Sequence, residues 1–282
     1  MNPDILIATN GFKGTFPAIE YGAWLAQTLS ARVTLLGVTE HLSPAAIDDH
    51  HPLEDVFARA VELFQQNDVE YSLEVENGDA EQVIPRKAGE KDYITLLGPL
   101  GRPQIRRWLM RRSIHHLMEE IKGPILYVPQ ACLPLKKILI CIGGLGYEVT
   151  AEHLAMQIAV KSRAEITLLH VVPPVDMEYP TTRVEREHWR SLVETDTPVG
   201  RSLREAMEFA KANGLTAAAH SRQGNVVEQI LAEVRANDYD LLCMGSAYSA
   251  NPLRQLYSTN VTAEVTDAGI CPVLTARYKR EE

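Results

Sequence analysis

Ile5-Leu6-Ile7-Ala8 and Ala31–Val38 (ARVTLLGV) return as Ile138-Leu139-Ile140-Cys141 and Ala164–Val171 (AEITLLHV), in both cases 133 residues later. Further on, Asp92-Tyr93 matches Asp238-Tyr239 at an offset of 146, Gly98 matches Gly245, and Pro124 matches Pro272. Five collinear matches mark a duplication. The rise in offset from 133 to 146 places about 13 extra residues in the second half, between 172 and 224. The join falls near Pro129–Pro134, and the expected domains are residues 1–130 and 136–278.

Each half alternates strand and helix. Ile5–Ala8 is a short apolar run bounded by Pro3 and by Asn10-Gly11, the pattern of a buried strand. Ile19, Ala23, Ala26 and Leu29 recur at helical spacing and predict a helix over 16–30. The same reasoning gives strands at 32–38, 69–75, 93–97 and 125–128. It gives helices at 52–67 and 79–91, the latter interrupted near Pro85, and one after Gly101. The second half predicts strands at 138–142, 165–172, 215–220, 239–244 and 272–276. Its helices are expected at 147–162, 183–213, 225–237 and 253–267, with Pro198 breaking or kinking the long one. The extra residues, around Pro173-Pro174 and Thr195–Val199, read as a surface excursion or a lid.

Strands joined through helices need right-handed crossovers, so each half is expected to form a five-stranded, doubly wound parallel sheet, an α/β sandwich. Such sheets bind ligands beyond the carboxyl ends of the strands, where strand order reverses. The loops to search therefore follow the first and fourth strands of each half. In the first half these are Thr9–Gly14 and Gly98–Arg102.

Composition narrows the function. The 282 residues fit two domains of common size. Thirty-seven acidic and 28 basic residues leave a net charge of −9, a field that repels nucleic-acid phosphates and anionic membranes. The four cysteines, Cys132, Cys141, Cys243 and Cys271, form no CxxC pair and no zinc-spaced cluster, so a reduced, cytoplasmic chain without a required metal is expected. The N-terminal residues lack the pattern of a signal peptide, and apolar runs are strand-sized, so no membrane segment is expected.

Motifs for chemistry are sparse. Gly143-Gly144-Leu145-Gly146 follows a strand, but Val149 stands where a dinucleotide loop needs its last glycine; a tight turn is the expected role. There is no GxxxxGK[ST], GxSxG or HExxH. His50-His51 and His115-His116 are adjacent pairs that make poor chelates. His170, at the end of a strand, reads as a packed or hydrogen-bonded residue before a base. Cys141 and Cys243 read as small core residues. Arg102, Arg106, Arg107, Arg111 and Arg112 crowd 11 residues of an acidic protein, as a solvated helix face or as an anion site.

The opening Ile5-Leu6-Ile7, the Gly98-x-x-Gly101 turn and Gly123-Pro124-Ile125-Leu126 resemble the universal stress protein family. So do Ile138-Leu139-Ile140, Gly245 and Cys271-Pro272-Val273-Leu274. The resemblance covers nearly the whole chain as a tandem pair. It implies an adenine nucleotide alpha hydrolase-like fold, with the two fifth strands meeting across a pseudo-two-fold axis in an intramolecular pseudo-dimer, and room for a homodimer of tandem chains. In nucleotide-binding members an Asp after the first strand contacts the nucleoside and a Val ending the second frames the adenine. Glycines and a Gly-[Ser/Thr] pair wrap the phosphates. The Asp position holds Asn10 and Gly143, and the Val position Val38 and Val171. The first half keeps Gly98 and Gly101 but has Arg111-Arg112 for the Gly-[Ser/Thr] pair. The second keeps Gly245, followed by Ser246, has Tyr248 for the next glycine, and carries Ser258-Thr259 or Thr259-Asn260 for the pair.

The resemblance thus implies a stress-response binding protein, not an enzyme, that takes ATP, ADP or another anionic nucleotide weakly. The alternatives are a nucleotide-free protein acting through a protein partner and a slow nucleotide hydrolase. The anion site is expected in the first half, where Gly11 and Lys13 in the first-strand loop join Gly98, Gly101, Arg102, Arg111 and Arg112.

Overall fold

A computed structural model describes residues 3–39, 52–99, 107–144, 146, 148–174, 180–246 and 261–277, the side chains at 52, 107–113 and 180–182 excepted. The chain divides into two compact units, Met1–Cys132 and Leu133–Glu282.

In the first unit the described elements are β1 (Asp4–Thr9), α1 (Phe16–Leu29), β2 (Val33–Thr39), α2 (Pro52–Gln66) and β3 (Tyr71–Asn77). They continue with α3 (Ala80–Ala88), β4 (Tyr93–Leu97), α4 (Arg107–Glu120) and β5 (Ile125–Tyr127). The strands run in the order β3-β2-β1-β4-β5, and every described pairing is parallel. The second unit has β6 (Lys137–Cys141), α5 (Val149–Ser162), β7 (Glu165–Val172), α6 (Pro180–Glu187), α7 (Pro198–Ala212) and β8 (Ala217–Gln223). It closes with α8 (Val226–Asn237), β9 (Leu241–Gly245), α9 (Val261–Asp267) and β10 (Val273–Ala276). Its order is β10-β9-β6-β7-β8, again parallel. Strand order therefore reverses between β1 and β4, and between β6 and β9.

The central strands are apolar throughout because helices cover both faces. Ile5, Leu6, Ile7 and Ala8 of β1 are fully buried, as are Leu35, Leu36, Ile94 and Leu96 beside them. In the second unit Leu139, Leu169, Val171, Leu242, Met244 and Val273 pack against Ile230 and Val234 of α8 and Val265 of α9. Residues of opposite parity on the same strands, such as Ile138, Ile140 and Leu168, are also buried. Cys243 is buried on β9, and the packing around it raises its thiol pKa. Cys141 is half-buried against the α8 and α9 cluster.

Several boundaries differ from the sequence expectation. Strands expected at 69–75 and 215–220 begin at Tyr71 and Ala217. The Val69 N–H donates to the Phe64 carbonyl at 2.9 Å, and the Leu215 N–H to the Ala210 carbonyl at 2.9 Å, so both residues finish the preceding helix. The helix expected over 183–213 is three pieces: α6, a 3₁₀ segment Trp189–Glu194, and α7. Pro198 opens α7 at its first turn, and the Thr197 hydroxyl caps it by accepting from the Gly200 N–H at 3.1 Å. The first part of the helix expected after Gly101 and most of that expected over 253–267 lie outside the described residues.

Candidate functional site

The loop leaving β1 is folded on itself by two hydroxyls. Thr9 Oγ1 and Thr15 Oγ1 lie 2.6 Å apart and are buried, and the Gly11 N–H donates to Thr9 Oγ1 at 3.2 Å. Thr15 donates through both its N–H, at 2.9 Å, and its hydroxyl, at 2.8 Å, to the Phe12 carbonyl. The Phe12 N–H leans on the Asn10 side-chain oxygen at 3.4 Å. Lys13–Thr15 then make one 3₁₀ turn into α1. This arrangement buries Gly11 and Thr15 and leaves Phe12 and Lys13 exposed.

Gly98, just beyond β4, meets this turn from the other side of the reversal. A β-carbon there would lie 2.8 Å from Thr15 Cα and 3.2 Å from the Gly14 carbonyl oxygen. Glycine at 98 therefore lets the β1 loop close against the end of β4. The structure brings together Asn10, Gly11, Lys13 and Gly98. Val38 is buried within β2. Gly101 and Arg102 lie outside the described residues. Arg111 and Arg112 fall in the second turn of α4, with side chains outside the description.

The second unit solves the corresponding loop differently. The N–H groups of Gly143 and Gly144 both donate to Glu148 Oε1, at 3.1 and 2.8 Å. Glu148 is buried, at 5% exposure, and stands at the N-cap of α5. Gly144 has φ +73°, and a β-carbon on it would lie 2.3 Å from Val199 Cγ2, so α7 presses directly on this loop. The segment before α7 is held in place by Arg204, whose guanidinium donates to the carbonyls of Val193 at 2.6 Å and Thr195 at 2.7 Å.

His170 stands beside the same loop. Its Nδ1 donates to the Ile142 carbonyl at 2.7 Å, while Nε2 is buried and has no hydrogen-bond partner among the described residues. Burial holds the ring's pKa below its ordinary value, against the pull of the Ile142 bond and the Glu148 carboxylate. One turn along α5, Glu152 is pushed up to about 7 by burial and by the charges of Glu148 and Glu205. Val171 packs in the core cluster with α8. Gly245 accepts the Thr262 hydroxyl at 2.9 Å, and the Ser246 N–H donates to the Ala276 carbonyl at 3.1 Å. Ser258, Thr259 and Asn260, like Tyr248, lie outside the described residues.

Sequence reading missed Thr9, Thr15, Glu148 and Glu152. A carboxylate five residues after Gly143 looks like any acidic first turn of a helix. Among the described residues, no group of three His, Cys, Asp or Glu side chains is placed to hold a metal ion, and no helix is long and apolar enough to cross a membrane.

The sequence model of the universal stress protein family matches this chain twice, over residues 1–129 and 134–277. A universal stress protein from Archaeoglobus fulgidus DSM 4304 superposes over 100% of this chain and 98% of its own, with a TM-score of 0.68 at 15% identity. The functionally unknown protein PA1789 from Pseudomonas aeruginosa PAO1 covers 97% of this chain and 92% of its own, with a TM-score of 0.62 at 14% identity. The cytoplasmic domain of a prokaryotic cation chloride cotransporter covers 100% and 98%, with a TM-score of 0.56 at 14% identity. At these identities the likeness is one of fold. No curated protein matches the chain.

Proposed function

This chain belongs to the universal stress protein family as a tandem pair of its domains, and on that premise we propose that it is a ligand-binding stress-response protein rather than an enzyme. In this reading the first unit takes an adenine nucleotide, ATP or ADP, at the carboxyl ends of β1 and β4. The observation that carries the choice of unit is the contrast between the two loops. In the first, Phe12 and Lys13 stand exposed on a turn locked from beneath by Thr9 and Thr15. In the second, the loop N–H groups already hold Glu148. An exposed aromatic face suits a base, and a lysine suits a phosphate. Arg102, Arg111 and Arg112 are the further cations this reading assigns to the phosphates. The chain's net charge of −9 makes a local cluster of this kind necessary for holding a polyphosphate. Nothing in this reading requires a metal, and it places the protein in the cytoplasm.

Calorimetric titration of ATP and ADP at low and high salt tests the proposal. Binding is expected to be weak, to fall as salt rises, and to weaken further in Lys13→Ala and in Arg111→Ala/Arg112→Ala. Binding indifferent to salt and to these substitutions would put the nucleotide elsewhere. The absence of binding would favour action through a protein partner. Slow release of phosphate from ATP would favour a hydrolase.

A further inference from the structure

Phe64 and Tyr71 pack ring against ring in the first unit, with centroids 5.4 Å apart, and fill the space between α2 and the start of β3. In the second unit, 146 residues later, both places hold alanine: Ala210 in α7 and Ala217 at the start of β8. Hydrogen bonds confirm the match, because the Val69 N–H bonds the Phe64 carbonyl and the Leu215 N–H bonds the Ala210 carbonyl. Beside Ala217 the second unit has a cavity of about 490 Å³, walled by Ala217 with Val193, Met207 and Leu215. Protein interiors are normally close-packed, and a cavity of this size is in the range of small-molecule sites.

The charges at the same place also differ. Arg204 and Lys211 line the cavity, and their counterparts in the first unit are Ala58 and Gln65. The acid beside them, Glu208, is matched by Glu62, so only the cations are new. The second unit has therefore exchanged two rings for two cations around one hollow. We propose that this cavity binds a small aromatic carboxylate, whose ring takes the space that the Tyr71 side chain fills in the first unit and whose charge is met by Lys211. Arg204 is already committed to the Val193 and Thr195 carbonyls, which fixes the Val193 wall before a ligand arrives. Lys211 is exposed and makes no ion pair among the described residues, so it is the cation left to meet the carboxylate. Two cations against one acid make the lining attractive to an anion in a chain of net charge −9. The cavity lies at the amino-terminal start of β8, whereas the nucleotide reading concerns the carboxyl ends of β1 and β4 in the other unit, so the two stand or fall separately.

Naphthoate is the probe, titrated into the full chain carrying isotope-labelled methionine methyl groups, with the Met207 signal identified through Met207→Leu. That signal is expected to shift in a saturable way, and the uncharged analogue naphthalenemethanol is expected to bind several-fold more weakly. Two substitutions install the first unit's own residues. Ala217→Tyr returns the ring and should abolish the response; Ala217→Leu fills the same space with a smaller side chain and serves as the test if the tyrosine variant does not fold. Lys211→Gln, on an exposed helix face, should weaken naphthoate several-fold and leave the alcohol unchanged. No saturable shift at Met207 with millimolar naphthoate would overturn the proposal. A shift that survives the filling of residue 217 would do the same, because the ligand would lie elsewhere. Equal binding of acid and alcohol, or indifference of the acid to Lys211→Gln, would overturn the assignment of a carboxylate.

Discussion

Glu233 in α8 stands at the place Lys87 holds in α3, 146 residues earlier, and the ion pairs around the two are reversed in sign. Lys87 Nζ lies 2.6 Å from the Glu74 carboxylate in β3 and 2.7 Å from Glu90, with Arg86 paired to Glu76 alongside. Glu233 receives Arg222 Nε at 2.6 Å and His220 Nδ1 at 2.9 Å from β8, and also Asn237 at 2.9 Å and Tyr239 at 3.1 Å. His220 and Arg222 correspond to Glu74 and Glu76. Each unit thus ties the strand at one end of its order to the following helix through a buried charge. The duplicated fold requires a pair there but does not dictate which side carries which sign.

The reversal predicts that charge in the second unit can be exchanged as a set. Glu233→Lys alone buries a cation against Arg222 and His220 and is expected to cost about 3 kcal/mol or more. Adding His220→Glu and Arg222→Glu restores opposite charge around residue 233, though Ala232 stands where Arg86 holds Glu76, and should recover part of that loss. Urea midpoints of wild type, the single and the triple variant measure it. A triple variant no more stable than the single one would show that the two sites are not equivalent.

The same pair predicts a different pH dependence for each unit. Burial raises the Glu233 pKa, but hydrogen bonds from His220, Arg222 and Tyr239 outweigh it and hold the carboxyl below its ordinary value of 4.5. Its contribution is therefore present above that value and lost as pH falls through the folded pKa. Hydrogen bonds that Lys87 donates to Glu74 and Glu90 raise it above its ordinary 10.5. Its contribution is full below that value and lost as pH rises through the folded pKa. The stability gap between wild type and Glu233→Gln should accordingly narrow below pH 4.5, while that for Lys87→Gln should narrow at both ends, in strong base as Lys87 loses its proton and in acid as Glu90, held below 4.5 by Lys87, gains one.

Glu152 gives a third prediction. Burial and neighbouring charge lift its pKa to about 7, above the ordinary 4.5, so the folded state binds the proton more tightly than the unfolded chain. Stability should fall as pH rises from 4.5 toward 7 and level off above. Glu152→Gln removes that penalty. It should match wild type near pH 4.5 and exceed it at pH 8 by on the order of 2 kcal/mol. Chemical denaturation at the two pH values checks this. Equal stability at both would mean that water reaches the carboxyl.

Fold and site differ in how much of them is written locally. Ile5–Ala8 and Ile138–Ile140 announce buried strands because both sheet faces are covered, which leaves a run with no polar alternation to misread. Val69 and Leu215 look like strand residues for the same reason. Only their hydrogen bonds back to Phe64 and Ala210 assign them to helix exits. Pro198 signals a break, but whether it kinks one helix or opens another depends on Thr197 capping the new start. The glycines at 98 and 143 mark the loops. What fills those loops is set by burial and pairing, which is why Glu148 passes for a solvated acid in the sequence, and why Gly98 serves the approach of Thr15.

The loop lock in the first unit gives the fourth prediction. The Thr9–Thr15 hydroxyl contact is buried, and each hydroxyl has a second partner, Gly11 N–H for one and the Phe12 carbonyl for the other. Thr15→Val leaves Thr9 short of one partner and strands the second bond of the Phe12 carbonyl, a cost of about 1–2 kcal/mol. Gly98→Ala attacks the same loop from the opposite side. Its new methyl would meet backbone at Thr15, which cannot swing aside as a side chain can, so a cost of about 1–3 kcal/mol is expected. Because both changes act by lifting one turn, their effects should not add. Once Thr15→Val has loosened the turn, Gly98→Ala should cost less than it does alone. Thermal unfolding of the two single variants and the double variant measures that coupling. Full additivity would mean that Gly98 and the hydroxyl pair hold separate parts of the loop.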